Sequence, residues 1–295
     1  MAEERVDKQW QHQGLGPYST QAILGTLRHY GVALDEGAFR EAAKDSYPLE
    51  LAQQWQPMWK GKGQFARFHW AAAEELTRRL FADRLMPGEL SRALVELMQA
   101  LGRMNEGAPD APVGPAFKKV AELRPKVPQE GGKPDPRFVT EVRMRLGEWM
   151  KVFGGISQEL AKNGHVEDAE EFAGIEEFLF PQWAGVSRAL VRAAKGEKAE
   201  ALADLSRIAQ EPSRDGPSKA NAVDALLHLD ALAQAREAGL SILTEAEQKD
   251  DLHLALEVGE RLMFAMEKLG DTAGLAGLVP RLQKLHDRHA HEHHH

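Results

Sequence analysis

The sequence predicts an all-α protein built in two parts, and three observations lead to this prediction. Most of the chain can be divided into segments with helical spacing of apolar residues, and no stretch alternates long enough to indicate a strand. Proline is concentrated in one interval, since 7 of the 15 prolines fall in residues 105–136. We therefore expect an N-terminal helical domain (1–104), a Pro-rich linker (105–136), a helical repeat domain (137–288) and a His-rich tail (289–295).

Four helical segments are predicted before the linker, over residues 19–31, 34–44, 65–85 and 87–104. Ser19 and Asp35 stand where N-caps belong, because their side chains can accept a backbone hydrogen bond from the first turn. Pro87 suits a first helical turn, and Gly31 suits a helix end.

A long helical pattern over 137–164 follows the linker, and then one unit recurs. In each copy a turn residue is followed five positions later by a small or medium apolar residue, and the turn residues are 32, 34 and 40 positions apart. The pairs are Gly164 with Ala169, Gly196 with Ala201, Asp230 with Ala235, and Gly270 with Leu275. A recurrence near this length predicts stacked helical hairpins, each made of a helix, a tight turn and a second helix.

These residues resemble the tetratricopeptide repeat family over roughly half of the chain. The small residue at the helix crossing of that family corresponds to Ala169, Ala201 and Ala235, and Pro212 stands close to where a unit ends. Leu275 departs from the pattern, and the aromatic and leucine positions of the first helix are mostly missing. The resemblance implies a solenoid with a concave groove and a binding role without catalysis. The alternative is an irregular helical bundle in which glycine simply ends helices.

Composition and charge exclude several classes of function. Cys is absent, which excludes disulfides and thiolate metal sites. Residues 137–295 hold 19 basic and 27 acidic side chains, against 13 and 13 in residues 1–104, so the repeat domain should repel nucleic acid. The N-terminus resembles neither a signal nor a transit peptide, and the apolar runs are too short to span a membrane. We expect a cytoplasmic protein whose oligomeric state the sequence does not indicate.

Three motifs suggest chemistry, and none has the context that the chemistry needs. GKGQFA (61–66) has the spacing of a dinucleotide loop but follows no strand. HEHHH (291–295) spells a metalloprotease motif at the end of the chain, where no cleft or third ligand can follow. The paired carboxylates of EDAEEFAGIEE (167–177) are typical of a solvated helix face. We therefore expect no catalytic residue, cofactor or metal site.

The tail contains half of the 12 histidines, namely His286, His289, His291, His293, His294 and His295. A continued helix would place His286, His289 and His293 on one side, where imidazoles can chelate a transition metal. The favoured interpretation is a frayed chain end.

The stretch WQPMWKGKGQFARFHW (55–70) has two interpretations. As a binding platform it would stack bases on Trp55, Trp59 and Trp70 while Lys60, Lys62 and Arg67 meet phosphate. As a structural element it would place Trp55 and Trp59 on one helix face and use its rings to tie a loop onto the core. We favour the structural interpretation, because the charge of residues 1–104 is balanced.

The sequence therefore predicts a non-catalytic adaptor or regulatory protein that holds a peptide or partner helix in its repeat groove. The side chains that the repeat phase places in the groove are Gln158, Lys162, Leu190, Asp224, His228, Glu260, Phe264 and Lys268. The alternative for Leu190 and Phe264 is an ordinary core position. The alternative function is a helical enzyme or small-ligand sensor with a pocket between the two domains, near Trp59 and Lys62.

Overall fold

The described part of the chain is α-helical. The computed structural model describes residues 4–108, 111–150 and 155–292. Its first eight helices are α1 (Trp10–Gln13), α2 (Thr20–His29), α3 (Glu36–Lys44), α4 (Pro48–Trp55), α5 (Phe68–Leu80), α6 (Pro87–Asn105), α7 (Val113–Leu123) and α8 (Pro136–Leu146). The last eight are α9 (Ile156–Lys162), α10 (Val166–Leu179), α11 (Val186–Ala194), α12 (Lys198–Gln210), α13 (Gly216–His228), α14 (Leu232–Gln248), α15 (Leu252–Leu269) and α16 (Thr272–Glu292).

Other regular structure in the described residues is short. Single 3₁₀ turns lie at Gly63–Phe65, Arg124–Lys126, Gly147–Trp149 and Pro181–Trp183. The strands there are an antiparallel pair of two residues each, β1 (Gln129–Glu130) and β2 (Lys133–Pro134). The prediction of an all-α fold is confirmed.

The predicted helix starts have the expected caps. The Ser19 hydroxyl accepts from the backbone N–H of Ala22 at 2.9 Å, and the Asp35 carboxylate accepts from that of Ala38 at 2.7 Å. Each side chain satisfies one of the backbone donors that a first turn leaves free. Pro87 is the first residue of α6, where its missing N–H costs nothing.

Two predicted details are wrong. The pattern over 137–164 is not one helix, because α8 ends at Leu146 and Gly147 adopts a φ of 52°. Gly147 adopts this φ without strain because it has no Cβ. Helix α4 was not predicted, and it ends at Trp55, so Trp55 and Trp59 do not share a helix face.

The chain forms two compact units. The first contains residues 1–95 and 122–147, and the second contains residues 96–121 and 148–295. The Pro-rich interval thus contributes its earlier part to the second unit and its later part to the first. Whether 1–104 and 137–288 fold independently stays a prediction.

Aromatic side chains form much of the core of the first unit. Phe68 is fully buried, and its ring meets that of Trp10 edge-on at 5.3 Å and stacks on that of Trp59 at 6.0 Å between centroids. Such ring pairs add to the stabilisation that burial itself provides. A second cluster surrounds Tyr47, whose hydroxyl donates to Asp135 at 2.9 Å while the Arg84 guanidinium lies over its ring.

The second unit contains four successive helical hairpins, α9–α10, α11–α12, α13–α14 and α15–α16. The four predicted turn residues lie between the two helices of each hairpin, and all have positive φ: Gly164 85°, Gly196 93°, Asp230 58° and Gly270 69°. The residue after each turn donates its N–H to a carbonyl five residues back, at 2.9–3.1 Å. This left-handed cap ends the first helix and lets the second begin.

The hairpins stack in sequence. The first helix of each hairpin contacts the first helix of the next, and α10, α12 and α14 each contact the following first helix. Ala169, Ala201 and Ala235 are fully buried in the second helices, where a larger side chain would hold the packed helices apart. Leu275 is only partly buried. The stacking is that expected of a helical repeat.

Among the described residues, the helices are all too short or too polar to cross a membrane.

Candidate functional site

A recess of about 580 Å³ lies wholly within the second unit. Its wall is formed by the C-terminal part of α6 and by α9, α11 and α13, which are the first helices of three hairpins. Its lining residues are Met98, Leu101, Gly102, Asn105, Trp149, Gly155, Ile156, Gln158, Glu159, Trp183, Leu190, Asp224, Ala225 and His228.

The wall of the recess is mostly apolar. Trp149, in the turn after α8, is 37% exposed, and Trp183, in the turn before α11, is half-buried. The Asn221 amide of α13 holds the turn that contains Trp183 by donating to the Gln182 carbonyl at 3.0 Å. Leu190 is 4% exposed. Since a large apolar ring exposed beside a recess gains from being covered, this wall favours an apolar ligand group.

Gln158 adds a polar group to this apolar surface. It belongs to α9, is 4% exposed and lines the recess. Within the described residues its side-chain amide has no hydrogen-bond partner. Because this amide is not among the fully buried groups that lack a partner, it stays accessible to water or to a ligand in the recess.

Acidic groups and one arginine border the recess at α13 and α15. The Arg261 guanidinium donates to both carboxylate oxygens of Asp224, at 2.5 and 2.7 Å, and to Glu257 at 3.0 Å. Burial lowers the pKa of Arg261, but Asp224 and Glu257 raise it more, so Arg261 stays charged. One cation is thus shared by two carboxylates.

Glu159 connects α9 to the end of α6. Its carboxylate accepts from the Asn105 amide at 3.2 Å and pairs with Lys162 at 3.0 Å. Asn163 donates in turn to the Asn105 side-chain oxygen at 3.0 Å. These bonds hold the end of α6 beside the first hairpin.

The structure brings half of the predicted groove residues together. Gln158, Leu190, Asp224 and His228 line the recess. Lys162 pairs with a residue of its lining. Glu260, Phe264 and Lys268 lie on α15 outside the recess, where Phe264 is 47% exposed and the Lys268 ammonium lies 5.5 Å from its ring centroid. That any of the eight binds a partner stays a prediction.

Sequence reasoning missed Trp149, Trp183 and the α6 residues of the recess. Trp149 was assigned to the interior of a continuous helix, and Gly147 was the signal that could have ended that helix two residues earlier. Met98 and Leu101 have ordinary helical spacing, so their place in the recess depends on tertiary packing.

The aromatic stretch 55–70 is mostly packed in the first unit. Trp55, Phe65 and Phe68 are buried, and the Trp59 indole N–H donates to the carbonyls of Phe65 and Ala66 at 3.1 and 3.2 Å. Trp70 is only half-buried. Lys60, Lys62 and Arg67 are exposed. This placement favours the structural interpretation over a stacking platform.

One carboxyl of the acidic helix is not solvated. Glu176, in α10, is fully buried and accepts from the Ser157 hydroxyl at 2.8 Å. Burial raises its pKa to about 7, although the hydrogen bonds from the Ser157 hydroxyl and backbone N–H act in the opposite direction. The prediction of a solvated face is wrong for this residue.

No group of three or more His, Asp or Glu suited to a metal is present in the part of the chain that the structure describes. Helix α16 carries His286 and His289, whereas His293 lies outside the described residues. The predicted stacking of these three side chains therefore falls partly outside the structure.

Fold and recess together define an all-helical protein with stacked hairpins and a partly apolar recess on its first helices. Comparison with protein-family models, with curated proteins and with solved structures gives no match.

Proposed function

We propose that this protein is a non-catalytic adaptor or regulatory protein that holds a peptide segment of a partner on its first-helix face. By first-helix face we mean the solvent-facing side chains of α9, α11, α13 and α15. The second unit would act as a tetratricopeptide-like repeat, whose stacked hairpins offer such a surface.

The observation that carries this proposal is the composition of the recess. It combines an exposed Trp149 ring with the amide of Gln158, next to the ion pair of Asp224 and Arg261. An apolar anchor with a few convergent polar groups is the usual composition of a recognition site. The four hairpin turns support the repeat assignment, because each has the predicted left-handed residue.

A second candidate is a small-ligand sensor that uses the same recess. The observation that favours it is the volume of about 580 Å³, which lies in the range of small-molecule pockets. A ligand that binds only the folded state would raise the melting temperature. If no peptide binds the protein but a small molecule raises its melting temperature, this second candidate is favoured.

A displayed library of random peptides, selected on the full chain, tests the proposal. The dissociation constants of enriched peptides are then measured for the wild type, for Trp149→Ala and for the control Met144→Ala, by fluorescence anisotropy. Met144 is also large, apolar and exposed, at 56%, but it belongs to the first unit.

We expect Trp149→Ala to weaken binding by about tenfold or more, because an anchor ring loses its burial, and Met144→Ala to leave it unchanged. Far-UV circular dichroism confirms that both variants are folded. If no enriched peptide is sensitive to Trp149→Ala, the peptide-binding proposal is wrong.

A further inference from the structure

Two carboxylates line the recess of the second unit. Glu159 of α9 and Asp224 of α13 belong to its wall, whereas none of the described lining residues is Lys or Arg. Lys162 and Arg261 pair with these two carboxylates but do not line the recess. A bound anion would therefore lie against carboxylates without a cation beside it, and would be repelled.

The two carboxylates keep capacity for a cationic ligand. The side chains of Glu159 and Lys162 are 37% and 44% exposed, so their pair at 3.0 Å is weak. Arg261 is shared between Asp224 and Glu257, so these three groups together carry one negative charge. Each oxygen of Glu159 and Asp224 has two lone pairs, and its bond within the protein uses one of them.

Two indole rings line the same recess. Trp149 and Trp183 contribute to its wall together with Leu190 of α11. Since α11 lies between α9 and α13 in the stack, the two carboxylates flank an apolar centre. The face of an indole covers an apolar group and also attracts a cation, which an aliphatic wall does not do.

A second recess, of about 470 Å³, adjoins the first and provides a comparison. Met98, Gly102 and Trp149 line both recesses. The second recess also has Arg103 and Glu106 in its wall, so its lining charges balance, and a single indole contributes to it. Its composition gives no preference for a cation.

We infer that the first recess binds a small organic cation, an ammonium group on an apolar body, with Trp149 and Trp183 around the body and Glu159 and Asp224 near the charge. The volume of about 580 Å³ accommodates such a molecule. This inference rests on the second candidate function, because it names the chemical class of ligand that the sensor would take.

Three probes that share a phenyl ring and differ in charge test the inference on the full chain. They are 2-phenylethylamine, an ammonium ion at neutral pH, the neutral 2-phenylethanol, and the anion phenylacetate. Binding is followed by nuclear magnetic resonance of the indole N–H groups of the six tryptophans, and Trp149→Phe and Trp183→Phe assign the two signals of the recess. We expect the amine to shift these two signals and to bind about tenfold tighter than the alcohol, with the anion weaker still.

Glu159→Gln tests the origin of the charge preference. It keeps an oxygen that can accept from the Asn105 amide but removes the charge, so the amine should bind about fivefold more weakly at low salt, and the alcohol should be unaffected. Glu106→Gln is the matched control, because it removes an exposed carboxylate that lines the second recess and not the first, and both affinities should stay unchanged. The comparison of probes on the wild type needs no variant, so it decides the inference even if Glu159→Gln is unstable.

The outcomes separate the inference from the proposed functions. If the alcohol or the anion binds beside Trp149 and Trp183 as tightly as the amine, the cation preference is wrong and the small-ligand sensor stands. If the amine shifts neither signal up to millimolar concentration, the inference is overturned, while peptides that depend on Trp149 would still support the adaptor. An equal loss of amine binding in Glu106→Gln and Glu159→Gln would also contradict it.

Discussion

Replacing Glu176 by glutamine should flatten the pH dependence of the protein's stability. The carboxyl is fully buried in α10 and accepts from the Ser157 hydroxyl at 2.8 Å. Burial is the largest influence on its pKa, which it raises from the ordinary value of 4.5 to about 7. The cost of burying the ionised form is greater than the gain from the two hydrogen bonds that Ser157 donates.

The sign and the size of the effect follow from the two pKa values. In the unfolded chain the carboxyl loses its proton near pH 4.5, whereas in the folded chain it keeps it until about pH 7. Between these values the folded state binds more protons, so the free energy of unfolding falls as the pH rises. The loss totals about 3 kcal/mol by pH 8 and then stays constant.

Urea unfolding at several pH values between 5 and 8, followed by circular dichroism, measures this slope. The difference between Glu176→Gln and wild type should grow in favour of the variant by about 2.5 kcal/mol across that range, because the first part of the loss lies below pH 5. Glu171→Gln is the control, because Glu171 lies on the same helix and is exposed. Parallel profiles for wild type and Glu176→Gln would refute the reasoning.

Three further substitutions test the packing. Phe68→Ala should lower the free energy of unfolding, measured in urea, by about 3–5 kcal/mol, because the ring is fully buried. The control Lys62→Ala should change it by less than about 0.5 kcal/mol, because Lys62 is exposed. Equal effects would contradict the structural role of residues 55–70. Arg145→Met should cost about 3 kcal/mol by the same assay, since it leaves the buried Glu141 without its guanidinium at 2.8 Å. No loss would contradict this account of the Arg145–Glu141 pair. Gly196→Ala should cost about 1 kcal/mol and lower the melting temperature by a few degrees, because φ is 93° there; an unchanged melting temperature would argue against this turn.

Local chemistry made the hairpins predictable from the sequence. A left-handed cap needs a residue that tolerates positive φ, so Gly164, Gly196 and Gly270 mark the turns without knowledge of their neighbours. The same applies to Ser19 and Asp35, whose caps involve a backbone N–H only three residues away. The sequence also predicted four residues of the recess, because the repeat phase determines which side of a first helix a residue occupies. These residues are Gln158, Leu190, Asp224 and His228.

The tertiary structure decided the features that depend on residues distant in the chain. Met98 and Trp149 line the same recess as His228, although more than a hundred residues separate the first from the last, and no periodicity encodes such an encounter. Glu176 reads as one more solvated carboxylate in an acidic helix, and it is buried because α9 and α11 cover it. Helical spacing specifies the direction of a side chain from its own axis, whereas burial and pKa depend on what another segment places there.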